Sequence, residues 1–166
     1  MTAFQSTTIL KKGSQGIEVK RLQAKLNAWL RSKQQPPVLV EDGIFGAATE
    51  GIVKYFQCHH FLEIDGVVGA TTQACLERGV SSLPTLKQGD TGPLVRRLQS
   101  VLEIYGIKVG VDGIYGAKTR AAVMRFQNDF HLFDPNGNAT GEVNLVIWKK
   151  LAEEPVAMAC GPLHRR

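Results

Sequence analysis

The sequence predicts an all-α chain, a tandem pair of compact three-helix units joined by a short linker. Three observations lead there: the chain repeats itself, its apolar residues recur at helical spacing, and glycine-rich turns punctuate the helical runs. Gly13 to Leu26 reads GSQGIEVKRLQAKL, and Gly89 to Leu102 reads GDTGPLVRRLQSVL, with seven of 14 positions identical. Asp42 to Gln57, DGIFGAATEGIVKYFQ, returns as DGIYGAKTRAAVMRFQ from Asp112 to Gln127, with nine of 16 identical. The first blocks lie 76 residues apart and the second blocks 70 apart. The six-residue difference falls in repeat one around Ser32–Val38, where SKQQPPV is a polar, Pro-rich loop. A third block recurs loosely, Gly69 to Leu76 against Gly141 to Trp148.

Each unit then reads helix, turn, helix, turn, short helix. In repeat one Val19, Leu22, Leu26 and Leu30 fall on one helical face. Gly16 precedes that run as a cap, with Ser14 close enough to compete for the role. Pro36–Pro37 ends the helix or its extension. The second helix starts after Gly46, with Thr49, Ile52, Val53 and Phe56 along it and Gly51 weakening it. Repeat two repeats the logic. Pro93 suits a first helical position. Val95, Leu98 and Leu102 make the stripe, and Gly106 ends it in a left-handed conformation. Thr119, Val123 and Phe126 carry the next helix. The last runs from Val143 to Leu151, with Val146, Ile147 and Trp148 available for burial. The expected boundaries are 8–82 for the first unit, 83–153 for the second and 154–166 for a flexible tail.

Composition limits the function. The chain has 166 residues, 43% of them hydrophobic and 21% charged, an ordinary globular balance. Twenty Lys and Arg against 15 Asp and Glu give a net charge of +5, which favours anionic surfaces without choosing one. No apolar run is long enough to span a membrane, so no transmembrane segment is expected. The start, MTAFQSTTILKKGSQG, does not read as a signal peptide. Three cysteines, Cys58, Cys75 and Cys160, argue against a disulfide scaffold and, as spare thiols, point weakly to a reducing compartment.

The turn DGIFG predicts structural roles for Asp42, Gly43 and Gly46, and DGIYG the same for Asp112, Gly113 and Gly116. Each glycine pair permits a tight turn, and each aspartate can bond turn amides. Ile44 and Phe45 cannot both face water cheaply, so at least one packs inward. Asp42 and Asp112 could pair as glycosidase carboxylates, but their equivalent turns explain them without catalysis. The recurring Gln23, Gln57, Gln99 and Gln127 are expected to bond an exposed loop carbonyl or amide. Cys58, His59 and His60 point about 100° apart on a helix and do not converge on a metal. No metal, cofactor or catalytic residue is expected. The pairs Lys11–Lys12, Lys20–Arg21 and Arg96–Arg97 are expected as solvated faces.

Both copies of this residue set resemble the peptidoglycan-binding domain 1 family. The resemblance rests on Leu10 to Gly16, Val19 to Gln23, Asp42 to Gly46, Thr49 and Phe56–Gln57, and on their counterparts from Leu86 to Gln127. It implies compact three-helix modules that commonly accompany cell-wall hydrolases and help bind peptidoglycan. Repeat two departs from the family where FDPNGNATG, longer by two residues, stands in place of the short second turn kept in repeat one as Asp65 to Gly69.

The resemblance implies non-catalytic binding of peptidoglycan or a related glycopeptide, with a muropeptide as soluble ligand. Such a ligand offers sugar faces to aromatic rings and carboxylates to Arg or Lys. Tyr105, Lys108, Tyr115 and Arg120 are the candidates in repeat two, and Trp29 and Phe45 in repeat one. The longer loop of repeat one predicts that repeat two carries more of the affinity. The alternative is an intracellular scaffold that uses the same modules to hold a protein partner. No specific nucleic acid is expected, because no recognition motif accompanies the basic charge. The family implies the cell envelope or secretion, whereas the missing leader leaves the cytoplasm open.

Overall fold

The structure is a computed structural model that describes residues 8–152 and Cys160. Its helices are α1 (Ile17–Ser32), α2 (Ala47–His59), α3 (Ala70–Arg78), α4 (Pro93–Ile104), α5 (Ala117–Asp129) and α6 (Leu145–Leu151), with a short 3-10 turn at Gly79–Ser82. The residues group into two compact units. Cys58–Glu63 groups with the second unit, as do residues 80–152 and Cys160. The tail expected at 154–166 lies outside the described residues, Cys160 excepted.

In the first unit α1 buries Val19, Leu22, Leu26 and Leu30 on one stripe. Gly16 is the N-cap and makes no side-chain cap bond. Ser14 works one turn earlier, where its Oγ accepts from the Lys11 amide at 3.1 Å. The chain enters α1 beside the DGIFG turn through a single antiparallel bridge, Gln15 to Ile44. A second bridge joins Leu10 to Val68. The second unit repeats both, as Thr91 to Ile114 and Leu86 to Val143. The Pro-rich insert returns to the body at Leu39, whose amide and carbonyl both bond the Asn27 side chain.

In the second unit α4 begins at Pro93 and buries Val95, Leu98, Val101 and Leu102. Its core also holds Tyr115, Val123, Phe126, Val143, Ile147, Trp148 and Phe61. On α6, Ile147 and Trp148 face inward, whereas Val146 is exposed. Asn144 caps α6 by accepting from the Val146 and Ile147 amides.

Two expectations change here. Cys58 and Cys160 form a disulfide with a Cα–Cα distance of 5.8 Å, so two of the three thiols are not spare. Residues 102 apart had no spacing pattern to announce the bond. Arg96–Arg97 is not simply a solvated face either. Arg97 is half-buried and donates to the Cys58 carbonyl at 3.2 Å, and desolvation lowers its pKa. Arg96 donates to the carbonyls of Val111 and Asp112.

Candidate functional site

The repeated turns are held by buried glutamines. Gln23, on α1, donates Nε2 toward Asp42 Oδ1 at 2.8 Å, the Ile44 carbonyl at 3.1 Å and Thr49 Oγ1 at 3.2 Å. Its Oε1 accepts from the Gly43 amide at 2.9 Å. Two hydrogens serve three acceptors, so one is shared. The side chain thus ties one helix, the turn and the next helix together, and it is 2% exposed. These glutamines bond loop carbonyls and amides as expected, but they do so from buried positions, as interior brackets.

The bracket occurs four times. Gln57 binds Asp65, Val67, Thr72 and the Gly66 amide in the same pattern. Gln99 binds Asp112, Ile114, Thr119 and the Gly113 amide. Gln127 binds Thr140, Glu142 and the Gly141 amide. The second turn is therefore present in repeat two, at Thr140 to Asn144, with threonine in place of aspartate. Gly141 matches Gly66, not Gly69, which corrects the loose third block by three positions. The extra residues form a preceding loop in which Asp134 Oδ1 accepts from the Asn136 and Asn138 amides.

Gly43 shows why glycine is needed in these turns. Its φ is +76°, and an added Cβ would lie 3.0 Å from the Gly16 carbonyl oxygen. Gln23 and the Ile44 amide hold the Asp42 carboxyl below its usual range. At Asp112 the Ile114 amide is the larger cause and Gln99 the second. Each aspartate Oδ1 accepts from the amide two residues on, at 2.8 Å.

The turns sort their two apolar residues in the same way. Phe45 and Tyr115 point inward at 1% and 0% exposure, while Ile44 and Ile114 face out at 51% and 54%. Phe45 and Tyr115 were candidates to stack on a ligand, and neither has a ring face to offer. Tyr115 donates its hydroxyl to the Gly141 carbonyl at 2.8 Å, joining the two turns of its unit. Burial pushes that hydroxyl's pKa up, so it remains a donor.

The other candidates scatter. Arg120 is exposed, crosses above Gly141 and reaches the Thr140 carbonyl at 3.3 Å. Lys108 is exposed on the loop after α4. Tyr105 is half-buried in a different cluster, edge-on to Phe126 and Phe130, with its hydroxyl donating to the Lys150 carbonyl. Trp29 is half-buried, edge-on to Tyr55 and Phe56. Arg120 and Tyr115 meet at the Gly141 turn. The exposed Ile44 and Ile114 were not singled out as ligand contacts, although their place in a doubled motif was a usable signal. Among the described residues, no group of three or more His, Cys, Asp or Glu is placed to hold a metal ion. None of their helices is long and apolar enough to cross a membrane.

Comparison with known proteins fits this geometry. The model of a family described as "Putative peptidoglycan binding domain" matches residues 15–76 and 91–151. A "Probable N-acetylmuramoyl-L-alanine amidase" of Bacillus licheniformis is 34% identical over 147 residues, covering 76% of this chain and 41% of that protein. The amidase CwlL of the same organism is 32% identical over 148 residues, covering 72% and 40%. The amidase CwlM of Mycobacterium tuberculosis is 34% identical over 96 residues, covering 54% and 24%. The chain thus spans about two-fifths of the first two relatives. A crystal structure of a peptidoglycan-binding protein from Clostridioides difficile, in complex with glutamine hydroxamate, is 27% identical with a TM-score of 0.38, covering 52% of this chain and 44% of that one. With the family model matching both three-helix units, the chain belongs to the peptidoglycan-binding domain family, as two tandem modules.

Proposed function

We propose that this chain binds bacterial peptidoglycan and holds it without cutting it, one module per unit. The observation that carries this reading is the family match occurring twice, which takes in all or most of each of the six α-helices. The Gln23 and Gln99 brackets support it by holding their turns, so that the exposed Ile44 and Ile114 are presented in fixed places. Lys108, Arg120 and the half-buried Tyr105 and Trp29 are proposed contacts for carboxylates and sugar faces. Phe45 and Tyr115 are proposed as supports beneath the turns. The amidase names of the relatives agree with a cell-wall ligand. Two weak sites on one polymer raise avidity when both engage.

The family points to the cell envelope or the exterior. The Cys58–Cys160 disulfide favours an oxidising compartment in the same direction. It also removes one of the two grounds for the intracellular scaffold alternative, which rested on the missing leader and on spare thiols. Co-sedimentation of the full chain with insoluble peptidoglycan tests the proposal. We expect retention well above that of a charge-matched control protein; equal retention would reject it.

A further inference from the structure

The first unit has a shallow surface crevice with enclosed room of only about 10 Å³, lined by Leu10, Leu22, Lys25, Val68, Gln73 and Leu76. Its floor is apolar, since Leu10, Leu22 and Val68 are buried core residues. Its rim is polar. Lys25 Nζ lies 3.7 Å from the Glu77 carboxylate, with both side chains more than a third exposed. Gln73 donates Nε2 to the Thr8 carbonyl at 2.9 Å. The deep end admits a group about the size of one water molecule or a methyl.

The second unit shows the same place filled. Leu86, Leu98, Val101, Val143, Trp148 and Leu151 stand at the equivalent positions, and all are buried. Val101 replaces Lys25, and Trp148 replaces Gln73. Trp148 makes the same kind of bond as Gln73, donating Nε1 to the Pro84 carbonyl at 2.8 Å. Its ring packs on Phe61 of the same unit, centroids 5.0 Å apart. The backbone frame is shared, down to the bridges Leu10–Val68 and Leu86–Val143. Only the side chains decide whether the place is closed.

We propose that the first unit's crevice binds the carboxylate end of a short peptide with a small apolar side chain, and that Trp148 closes the corresponding site in the second unit. The inference rests on the peptidoglycan reading, because the stem peptides of that polymer supply alanyl groups and carboxylates. The alanyl methyl fits the apolar deep end, which is too narrow for a sugar or aromatic ring. The carboxylate takes Lys25, and Glu77 turns to solvent. An exposed ion pair adds little on its own, so selectivity comes from the methyl and the charge acting together. This places the better peptide site in the first unit, opposite to the expectation drawn from its longer loop.

The test is an amide-shift titration of the full chain with N-acetyl-D-alanyl-D-alanine, with an N-acetylglucosamine oligomer as the second arm. We expect saturable shifts at Leu10, Val68 and Gln73, none at Leu86, Val143 and Trp148, and no crevice response to the sugar. Gln73→Trp with Lys25→Val should weaken the dipeptide at least about tenfold while leaving the helical signal intact, because the second unit already packs that pair. The C-terminally amidated dipeptide tests the charge without any substitution and should also bind at least about tenfold more weakly. No saturable shift, equal shifts in both units, or an amide that binds as well as the acid would overturn the inference. Sedimentation separates the two readings. A chain retained by peptidoglycan whose crevice is silent loses only the crevice; a responding crevice without retention loses only the cell-wall reading.

Discussion

Gln73 and Trp148 hold the same place in two copies of one fold and send a hydrogen bond to equivalent carbonyls, yet one borders an open crevice and the other fills it. The difference teaches that the shared backbone bond does not decide exposure. Side-chain volume does, together with the Lys25 or Val101 that faces it. Trp148→Gln should therefore be the most damaging way to make the units alike. It removes a fully buried indole from contact with Phe61, and although the Pro84 carbonyl can accept from the new amide, the volume lost beside Val101 stays empty. We expect a loss of about 3–5 kcal/mol, read as a shift in the urea midpoint. A loss below about 1 kcal/mol would mean that the second unit can collapse around the gap.

The cross-link is a second asymmetry. Cys58–Cys160 belongs to the second unit, and it closes a loop of 102 residues in the unfolded chain. Cys160→Ser should cost about 2–4 kcal/mol relative to the oxidised protein, and a reducing agent should reproduce the loss in the unsubstituted chain. A midpoint indifferent to reduction would show that the loop closure contributes nothing.

Much of this frame was legible in the sequence. Helical periodicity placed Val19, Leu22, Leu26 and Leu30 on one face, and the paired glycines located the turns. The brackets were half legible: the glutamines recurred visibly, but so did Thr49, Thr72 and Thr119, and only the fold joins them to one amide. The fourth bracket was hidden by loop length. Gln57 and Asp65 are eight residues apart, whereas Gln127 and Thr140 are 13 apart. Sequence could say that one of Ile44 and Phe45 turns inward, but not which, because that depends on which side the chain enters α1. The candidate site suffered from this most, since Tyr115 looked like a surface ring and is a core residue.

The brackets themselves offer a graded comparison. Gln99 serves four partners, including a carboxylate, and Gln127 serves three neutral ones. Removing either leaves buried polar groups unpaired. We expect Gln99→Ala to cost about 2–4 kcal/mol and Gln127→Ala about 1–2 kcal/mol, since bonds to charged groups are the stronger ones. Equal losses in urea unfolding would show that the aspartate adds nothing to its bracket.

The smallest effect concerns acid. The folded protein holds the Asp112 carboxyl below the ordinary aspartate range, through the Ile114 amide first and Gln99 second. A carboxyl whose pKa is depressed by folding binds fewer protons folded than unfolded just below that range. Its contribution is therefore complete above about pH 4 and is lost as the pH falls through the folded value. Thr140 occupies the equivalent place in the neighbouring turn and has no such titration. Asp112→Thr should copy that turn, lowering stability slightly at neutral pH and flattening the decline of the urea midpoint below pH 3.8. Asp42→Thr should flatten it in the same direction, for the same two causes in the opposite order. A decline just as steep in the Asp112→Thr, Asp42→Thr double variant would assign the acid sensitivity to other carboxylates, such as Glu50 between Lys54 and Lys12 or Asp134 in the inserted loop.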